Sequence, residues 1–381
     1  HGAEMDGPDG SGQLRSFPQL MNVHFVGHIF NDPNPASSDD TEAAVVRLRE
    51  GTGGYFANIV ITNVGTQGVL HGDCGAETFT SNPADVTGVD FLYWSPANVI
   101  FAETPAVQFG RDAACISKTV ISSNNVDPLL VLQSSSPSPD DKFTDPNPLA
   151  GSPLLSNAEA PPAGDTFFDT VSYRGAFSGT QNWLAGLSWL DDNAKTPASV
   201  SGIITRDDIA TSTTWSNDRP ILLAGQVFVK APATLTIQAG TQILAYADDG
   251  NGVAPALIIE PGAKIMAVGT QNNPITFSSA VSARNLPAQG LWGGLIILGN
   301  APVHPNTGTQ TIEGLTVGGE YGGNNSNDNS GRLSFVRVWY GGSVIGADNE
   351  INGITFAGVG RGTTVDHIEV AFNLDDGVEF F

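Results

Sequence analysis

Leu235-Thr236-Ile237-Gln238-Ala239-Gly240 and Leu257-Ile258-Ile259-Glu260-Pro261-Gly262 share one pattern, 22 residues apart (positions 235 and 257). In each stretch, apolar residues recur at every second position of a short β-rich run that ends at a glycine. Side chains alternate between the two sides of a strand, so Leu235 and Ile237 are predicted to point inward together with their counterparts in the second stretch. A repeat of this length is typical of stacked coils, and we therefore expect Leu235 to stack on Leu257 in an aliphatic ladder.

A second repeat lies further along the chain. Leu333-Ser334-Phe335-Val336-Arg337-Val338 is matched by Val365-Asp366-His367-Ile368-Glu369-Val370, 32 residues later (positions 333 and 365). A β-sandwich would also contain short strands, but it does not require inward aliphatic residues at a fixed offset. The sequence therefore predicts an all-β, right-handed parallel β-helix, a single-stranded solenoid with long surface loops.

Composition excludes several classes of protein. The chain has 381 residues, with 39 Asp and Glu against 16 Lys and Arg, and a formal charge of −23. This leaves too little basic surface for nucleic-acid binding. The sequence contains no apolar run of about 18 residues, so no membrane span is predicted. An acidic, lysine-poor chain rich in Gly, Asn, Ser and Thr is typical of secreted proteins, and we expect an extracellular or cell-surface location.

The middle of the chain is less regular. Residues 122–165 are rich in Pro, Ser and Asp, which predicts a surface excursion rather than core. The segment that follows, residues 166–215, is rich in aromatic residues. Such residues can form a sugar-binding platform or a cap that shields the end of a core, and packing is the favoured interpretation. The aromatic residues in question are Phe167, Phe168, Tyr173, Phe177, Trp183, Trp189 and Trp215.

Several motifs in residues 201–381 resemble a known family. Leu222 to Val229, Trp292-Gly293-Gly294-Leu295-Ile296-Ile297 and Asn373 to Phe381 are similar to coils of secreted right-handed parallel β-helix domains. The family is the pectin-lyase-like one, in its uncharacterised bacterial and algal branch. The resemblance implies a parallel β-helix over this half of the chain, and it does not by itself imply an activity.

Residues 1–195 resemble the other half of the same family. Arg49-Glu50-Gly51-Thr52-Gly53-Gly54-Tyr55 is similar to its late coils, and the segment from Phe167 to Gly186 is similar to its closing segment. We therefore expect two regions in swapped order: residues 1–195 corresponding to the C-terminal half, and residues 196–381 to the N-terminal half. Such an order is expected of a slice from a tandem array of β-helix units, or of a circular permutant.

The swapped order predicts open coils at the two ends of the chain, at His1 and Gly2 and at Phe380 and Phe381. An open strand edge is a template for another strand. Head-to-tail contacts between identical copies give open filaments unless they close into a ring. The sequence thus predicts a homopolymer, with the chain itself as partner.

Acidic turn residues are candidate calcium ligands. Asp248, Asp249 and Asn251 form one cluster, and Asp375 and Asp376 form another. Carboxylate and carbonyl oxygens on turns suit Ca²⁺, although Asp and Asn are also ordinary turn residues. Calcium is the only cofactor that the sequence indicates.

Two covalent features are also predicted. Cys74 and Cys115 are the only cysteines, and a disulfide between them fits an extracellular protein. Asn324-Asn325-Ser326 is a weak signal for N-glycosylation at Asn324.

No catalytic residue is predicted. Hydrolysis of a glycoside needs two suitably spaced carboxylates, and no motif marks a pair such as Asp366 and Glu369. The strong negative charge also disfavours acidic polysaccharide substrates. The function that the sequence favours is therefore an extracellular structural protein, the subunit of a filament or cell-surface fibre. The alternative is a carbohydrate-binding or polysaccharide-degrading β-helix protein.

Overall fold

The fold was derived from a computed structural model. It describes residues 3–6, 16–27, 44–49, 51–65, 67–72, 78–80, 91–102, 109–111, 115, 125–133, 143–198, 202–247, 253–304, 308–313, 315, 317–346 and 349–381. The chain forms two compact units. Unit 1 comprises residues 1–130 and 146–180, and unit 2 comprises residues 131–145 and 181–381. Each is described below by itself.

Unit 1 is built from short parallel strands. They are β1 (Ala3–Asp6), β2 (Gln19–Met21), β3 (His24–Val26), β4 (Val46–Arg49), β5 (Gly54–Ala57), β6 (Val60–Thr62), β7 (Val69–His71), β8 (Thr78–Thr80), β9 (Phe91–Trp94), β10 (Val99–Ile100) and β11 (Phe109–Arg111). The strands form three sheets, in the orders β1-β4-β7-β11, β2-β5-β9-β8 and β10-β6-β3. Equivalent strands of consecutive coils pair in register, so that Met5 lies beside Leu48 and Phe25 beside Ile61.

Few helical residues occur in the described parts of the chain, as the sequence pattern predicts. In the middle of the chain lie β12 (Leu130–Gln133) and β13 (Thr144–Pro148), followed by a 3-10 helix at Pro153–Leu155 and the short helix α1 (Trp189–Asp192). A second 3-10 helix spans Ala283–Asn285. No helix among the described residues is both long and apolar enough to span a bilayer.

Unit 2 is a parallel β-helix with three strands in each coil. Its strands are β14 (Ile203–Thr205), β15 (Thr213–Trp215), β16 (Ile221–Leu223), β17 (Gln226–Val229), β18 (Thr234–Ile237), β19 (Gln242–Ala245), β20 (Ala256–Ile259), β21 (Lys264–Val268), β22 (Ile275–Ser279), β23 (Gly294–Leu298), β24 (Gln310–Thr311), β25 (Glu320–Tyr321), β26 (Gly331–Trp339), β27 (Val344–Gly346), β28 (Asn349–Glu350), β29 (Ile354–Ala357), β30 (Thr364–Ala371) and β31 (Val378–Phe380).

Three faces run along this β-helix. The first face contains β14, β16, β19 and β22, the second contains β17, β20, β23, β29 and β31, and the third contains β15, β18 and β21. The long strand β26 serves two faces, because its first half pairs with β21 and its second half pairs with β22. Strand β30 follows β26 over almost its whole length. The prediction of an all-β parallel β-helix is therefore confirmed.

The inward residues form apolar ladders, as predicted, but the members of each ladder differ from the prediction. Leu235 and Leu257 are both fully buried, yet they do not stack on each other. Leu235 pairs in register with Ile265 on the third face, whereas Leu257 pairs with Val227 on the second. The two similar stretches belong to different faces, since a three-sided coil places a strand and a glycine turn at more than one corner. For this pair the offset of 22 residues is therefore not one coil, although Thr213 and Leu235, which are also 22 residues apart, pair in register between consecutive coils.

The second repeat does measure one coil. Leu333 lies beside Val365 and Val338 beside Val370, in the register that the 32-residue offset predicts. Gly331 opens β26 with φ +113, and a Cβ at this position would collide with the carbonyl oxygen of Ile265. Only glycine allows the two strands to approach so closely there.

Candidate functional site

The outermost strands of unit 2 form an open end, defined here as β30 and β31. Within the described residues, β30 pairs only with β26, and β31 pairs only with β29. The outer side of both strands therefore presents backbone N–H and C=O groups that a further parallel strand can satisfy.

The apolar ladders of unit 2 continue into this open end. Phe380 stacks on Phe356, with ring centroids 5.4 Å apart and an angle of 16° between the planes. Phe356 is 5% exposed, but Phe380 is 75% exposed because nothing in the described structure covers its outer side. Val365 stands in register with the fully buried Leu333 and is likewise exposed. The open end thus displays the apolar interior of the coil.

Charged side chains surround one corner of the open end. Asp366 accepts hydrogen bonds from Ser334 Oγ at 2.5 Å and Arg332 Nη2 at 3.0 Å, and its Oδ1 lies 2.7 Å from Nδ1 of His367. These partners, above all the Ser334 hydroxyl, lower the pKa of Asp366 to about 2. The His367 ring stacks on Phe335 at 4.2 Å. Ser334 and His367 both contact the same carboxylate rather than each other, so the group is not arranged as a nucleophile and its base.

Unit 1 also has an open end, formed by β1, β2 and β3. Each of these strands pairs on one side only within the described residues, with β4, β5 and β6 respectively. Met5, Leu20 and Phe25 are only partly buried, although they pack against the apolar core of the unit. Unit 1 therefore exposes part of its interior at its first coil.

His24 lies on β3 at this open end. Its Nε2 is 2.9 Å from Thr62 Oγ1, and its ring meets the edge of Phe177. Burial lowers the pKa of His24 to about 4, so the ring is neutral at physiological pH. This histidine is a packing residue in the structure.

A lateral stripe of three residues lies on β26 and β30: Arg337, Trp339 and Glu369. Trp339 is partly buried and packs against the apolar core of unit 2. The guanidinium of Arg337 lies 5.5 Å from the centre of the Trp339 ring. Trp339 Nε1 donates to Glu369 Oε1 at 2.9 Å, and Arg337 Nε is 3.9 Å from the other carboxylate oxygen. An indole flanked by hydrogen-bonding charged groups suits a polar ligand with an apolar face.

A cavity of about 330 Å³ opens beside the second face of unit 2. Phe228, Val253 and Val317 form its apolar walls, and Lys230 and Asp208 are its charged residues. The Lys230 ammonium lies 4.3 Å from the Phe228 ring centre and is paired with Glu260 at 2.6 Å and Asp208 at 3.4 Å. These carboxylates already neutralise the cation, and the lysine covers the aromatic face.

Two of the five predicted calcium ligands, Asp375 and Asp376, lie in the described part of unit 2. Asp248, Asp249 and Asn251 lie outside the described residues. Asp375 and Asp376 are exposed, and their charges contribute to the raised pKa of Glu379, whose main cause is burial. In the described ranges, no three Asp, Glu, His or Cys side chains gather closely enough to hold a metal ion. Calcium binding stays a prediction.

The described residues include some of those predicted to form the disulfide, the glycosylation site and the open ends. Cys115 is buried and disulfide-bonded, but Cys74 lies outside the described residues and the pairing stays a prediction. Asn324 is exposed, which a glycosylation site requires. His1 and Gly2 lie outside the described residues, whereas Phe380 and Phe381 are both exposed at the open end of unit 2.

One polar cluster was not predicted from the sequence. The Glu159 carboxylate accepts hydrogen bonds from Tyr55 at 2.5 Å, from Tyr93 at 2.7 Å and from the Ser95 hydroxyl. Asn58 bonds both the backbone N–H and the carbonyl of Glu159. Burial and this carboxylate raise the pKa of both tyrosines. The cluster fastens the segment around Glu159 to two coils of unit 1, and sequence separations of 64 to 104 residues hide it from pattern analysis.

The aromatic segment is divided between packing and exposure. Phe177 and Trp215 are buried, as the packing interpretation predicts. Phe167, Trp183 and Trp189 are instead largely exposed. The expectation that these aromatic residues all pack over the end of a core is therefore wrong for three of them.

These features define the class of protein: a parallel β-helix protein. Residues 207–381 match the family model described as a pectate-lyase like beta helix domain, which agrees with the coil of unit 2. Comparison with curated proteins and with solved structures found no match. The resemblance noted from the sequence is thus confirmed over residues 207–381, as a similarity to that domain.

Proposed function

We propose that the chain is an extracellular structural protein that extends end to end, each copy continuing the β-helix of its neighbour. The observation that carries this proposal is the pair Phe356 and Phe380, which occupy equivalent positions in consecutive coils but are 5% and 75% exposed. A further coil stacked on β31 gives Phe380 the environment that Phe356 already has. Burial of apolar surface is the main driving force for such association.

The two open ends differ in a way that favours head-to-tail contact. All pairings between coils are parallel, so the strand added to β30 or β31 has to run in the same direction. Two copies related by a twofold axis would instead bring identical edges together in opposite directions. The first coil of unit 1, formed by β1, β2 and β3, supplies an edge with parallel strands and a partly exposed apolar interior. When two copies join through these two different edges, the resulting pair still has one free edge of each kind. Further copies can therefore add at both ends.

The stiffness of stacked coils then provides the mechanical role, since each coil is hydrogen-bonded to both neighbours. A net charge of −23 keeps the outer surface hydrated and opposes sideways aggregation. This proposal includes no catalytic step.

The proposal is tested with Phe380→Lys, which places a charge in the proposed contact. We expect the wild-type chain to form filaments in electron micrographs and concentration-dependent assemblies in light scattering, and Phe380→Lys to remain monomeric. The matched control is Val317→Lys, because Val317 is 71% exposed but lies on a surface loop of unit 2. This control is expected to assemble like the wild type.

A compact wild-type monomer at micromolar concentration would contradict the proposal. So would a Phe380→Lys variant that still assembles as well as the control. Both variants alter exposed residues, so their melting curves should match that of the wild-type monomer.

A second candidate function is carbohydrate binding or polysaccharide degradation, which is favoured by the lateral stripe and by the description of the matched family. Trp339, Arg337 and Glu369 offer an aromatic face with charged hydrogen-bonding groups on one lateral surface. Incubation with a panel of polysaccharides, followed by measurement of released reducing ends, tests degradation. Product release that disappears in Glu369→Gln would favour this candidate over a purely structural role.

A further inference from the structure

A short segment of unit 2 exposes three large apolar side chains. Trp183 is 50% exposed, Leu187 is 76% exposed and Trp189 is 60% exposed. We call residues 182–197 the indole module. Tryptophan is mostly buried in folded proteins, so two exposed indoles within seven positions call for an explanation.

The indole module is held rigidly by polar contacts with residues around it. Asp191 is fully buried and accepts a hydrogen bond from the backbone N–H of Gly186 at 2.8 Å. Its carboxylate also pairs with Arg284, and its carbonyl oxygen accepts from Asn285 Nδ2 at 2.7 Å. The Ser188 hydroxyl caps the first turn of α1 by accepting from the Asp191 N–H at 3.2 Å. The exposed side chains therefore sit on a fixed backbone.

A second anchor closes the module at its ends. Asn182 is buried and donates to Thr196 Oγ1 at 2.8 Å and to the Pro197 carbonyl at 2.9 Å. Thr196 in turn donates to the Thr144 carbonyl at 2.8 Å. Fixing the backbone in advance lowers the entropic cost of binding, because the platform is ordered before the ligand arrives.

The size of the exposed patch argues against a protein partner. Two half-exposed indoles and one leucine offer roughly 250–400 Å² of apolar surface. A stable protein–protein interface needs about 800 Å² on each partner. A patch of this size instead matches the flat face of a few sugar rings.

Charge and neighbouring polar groups narrow the ligand class. With a formal charge of −23, the protein repels polyanions, which disfavours acidic polysaccharides. Gln181 and Asn193 lie close to the indoles in sequence and are exposed. The Asn193 amide nitrogen donates to the Trp189 carbonyl at 2.8 Å, while its side-chain oxygen and the Gln181 amide are polar groups suited to hydroxyl groups. A ligand with an apolar face and a rim of uncharged hydroxyls is complementary to this surface.

We propose that the indole module binds a neutral polysaccharide, with Trp183 and Trp189 stacking on the faces of its pyranose rings. Chains with equatorial hydroxyls, such as β-1,4-linked glucans, present the flat apolar faces that stacking requires. This inference concerns other residues than those of the open ends and does not rest on end-to-end assembly.

The test is affinity electrophoresis of the full chain in gels that contain hydroxyethylcellulose or xyloglucan, with polygalacturonate as the acidic comparison. We expect retardation by at least one neutral polymer and none by polygalacturonate. Trp183→Ala and Trp189→Ala are each expected to weaken binding about tenfold, which is the loss of one aromatic stacking contact. Trp189→Phe keeps an aromatic face and should bind more tightly than Trp189→Ala.

The matched control is Phe167→Ala, because Phe167 is an exposed aromatic residue of unit 1. Its binding should equal that of the wild type, and all variants should keep the wild-type circular dichroism spectrum. Absence of retardation by both neutral polymers would overturn the proposal, as would retardation that survives Trp183→Ala and Trp189→Ala. Light scattering without polysaccharide reports assembly separately, so failure here is distinguishable from failure of the filament proposal.

Discussion

Two consecutive coils of unit 2 carry the same kind of residue in the same register, yet one is interior and the other is open. The inner coil is fully covered, and the outer coil lacks a cover on one side in the described structure. The residue pairs, inner member first, are Val336 and Ile368, Val338 and Val370, Ile354 and Val378, and Phe356 and Phe380.

The outer coil has the composition of an interior coil. Surface coils that face water are expected to end in polar or charged residues, as capping units of repeat proteins do. The outer coil instead keeps inward aliphatic and aromatic residues while it is exposed. Its amino-acid pattern is therefore matched to a covered state, which is the basis of the filament proposal.

The largest effect is expected from a matched pair of substitutions, Phe356→Ala and Phe380→Ala. Phe356→Ala removes a buried ring and should lower the free energy of unfolding by about 3–5 kcal/mol. Phe380→Ala removes an exposed ring and should cost less than about 1 kcal/mol. Urea denaturation at a protein concentration too low for association measures both values.

The effect of Phe380→Ala is expected to depend on protein concentration. If copies stack through β31, the cost of Phe380→Ala grows as the protein concentration rises, because the ring then becomes buried. If Phe380→Ala lowers the free energy of unfolding equally at low and high protein concentration, then association does not bury Phe380.

The second effect concerns the open end of unit 1 and depends on pH. Burial lowers the pKa of His24 from 6.5 to about 4, so folding favours the neutral ring. Above pH 6.5 the ring is neutral in both the folded and the unfolded chain, and the free energy of unfolding is at its full value. As the pH falls from 6.5 to about 4, the unfolded chain binds a proton that the folded chain does not. The free energy of unfolding therefore decreases by up to about 3 kcal/mol. His24→Gln lacks this titration, so the difference in unfolding free energy between wild type and variant should shrink by that amount. An unchanged difference between pH 7 and pH 4 would refute it.

The smallest effect concerns Glu379 on β31. Burial is the main cause of its raised pKa, followed by the negative charges of Glu313, Asp375 and Asp376, while a hydrogen bond from Asn352 opposes the rise. A raised carboxyl pKa means that the folded state gains stability as the pH falls through that pKa towards 4.5. Glu379→Gln should therefore stabilise the fold at pH 7, by less than about 1 kcal/mol, and have little effect near pH 4. Thermal melts at the two pH values measure this, and a destabilised variant at pH 7 would contradict it.

The parts of the fold that could be predicted from the sequence depend on local alternation. The inward positions of Leu235 and Ile237 follow from strand geometry alone, and both are buried. The 32-residue offset between Leu333 and Val365 also identified a true coil, because β26 and β30 pair over nearly their whole length.

Other parts were beyond pattern analysis for physical reasons. The 22-residue offset compared two faces of a three-sided coil, since strands at different corners share alternation and a terminal glycine. The Glu159 cluster joins Tyr55 and Tyr93 to a residue far along the chain, and no local rule connects them. The apolar character of Trp183 and Trp189 favours packing, whereas their exposure depends on how Asp191 and Asn182 anchor the module.

The corner between the third and first faces has a practical consequence for redesign. In the early coils this corner holds connecting segments, residues 216–220, 238–241 and 269–274, whereas in β26 and β30 a single residue makes the bend. Phe335 and His367 adopt φ 51 and φ 49 there and lie ring upon ring. Foreign peptides inserted at this corner would interrupt the two continuous strands β26 and β30. Insertions are better placed at the other two corners, where the native chain already contains long loops.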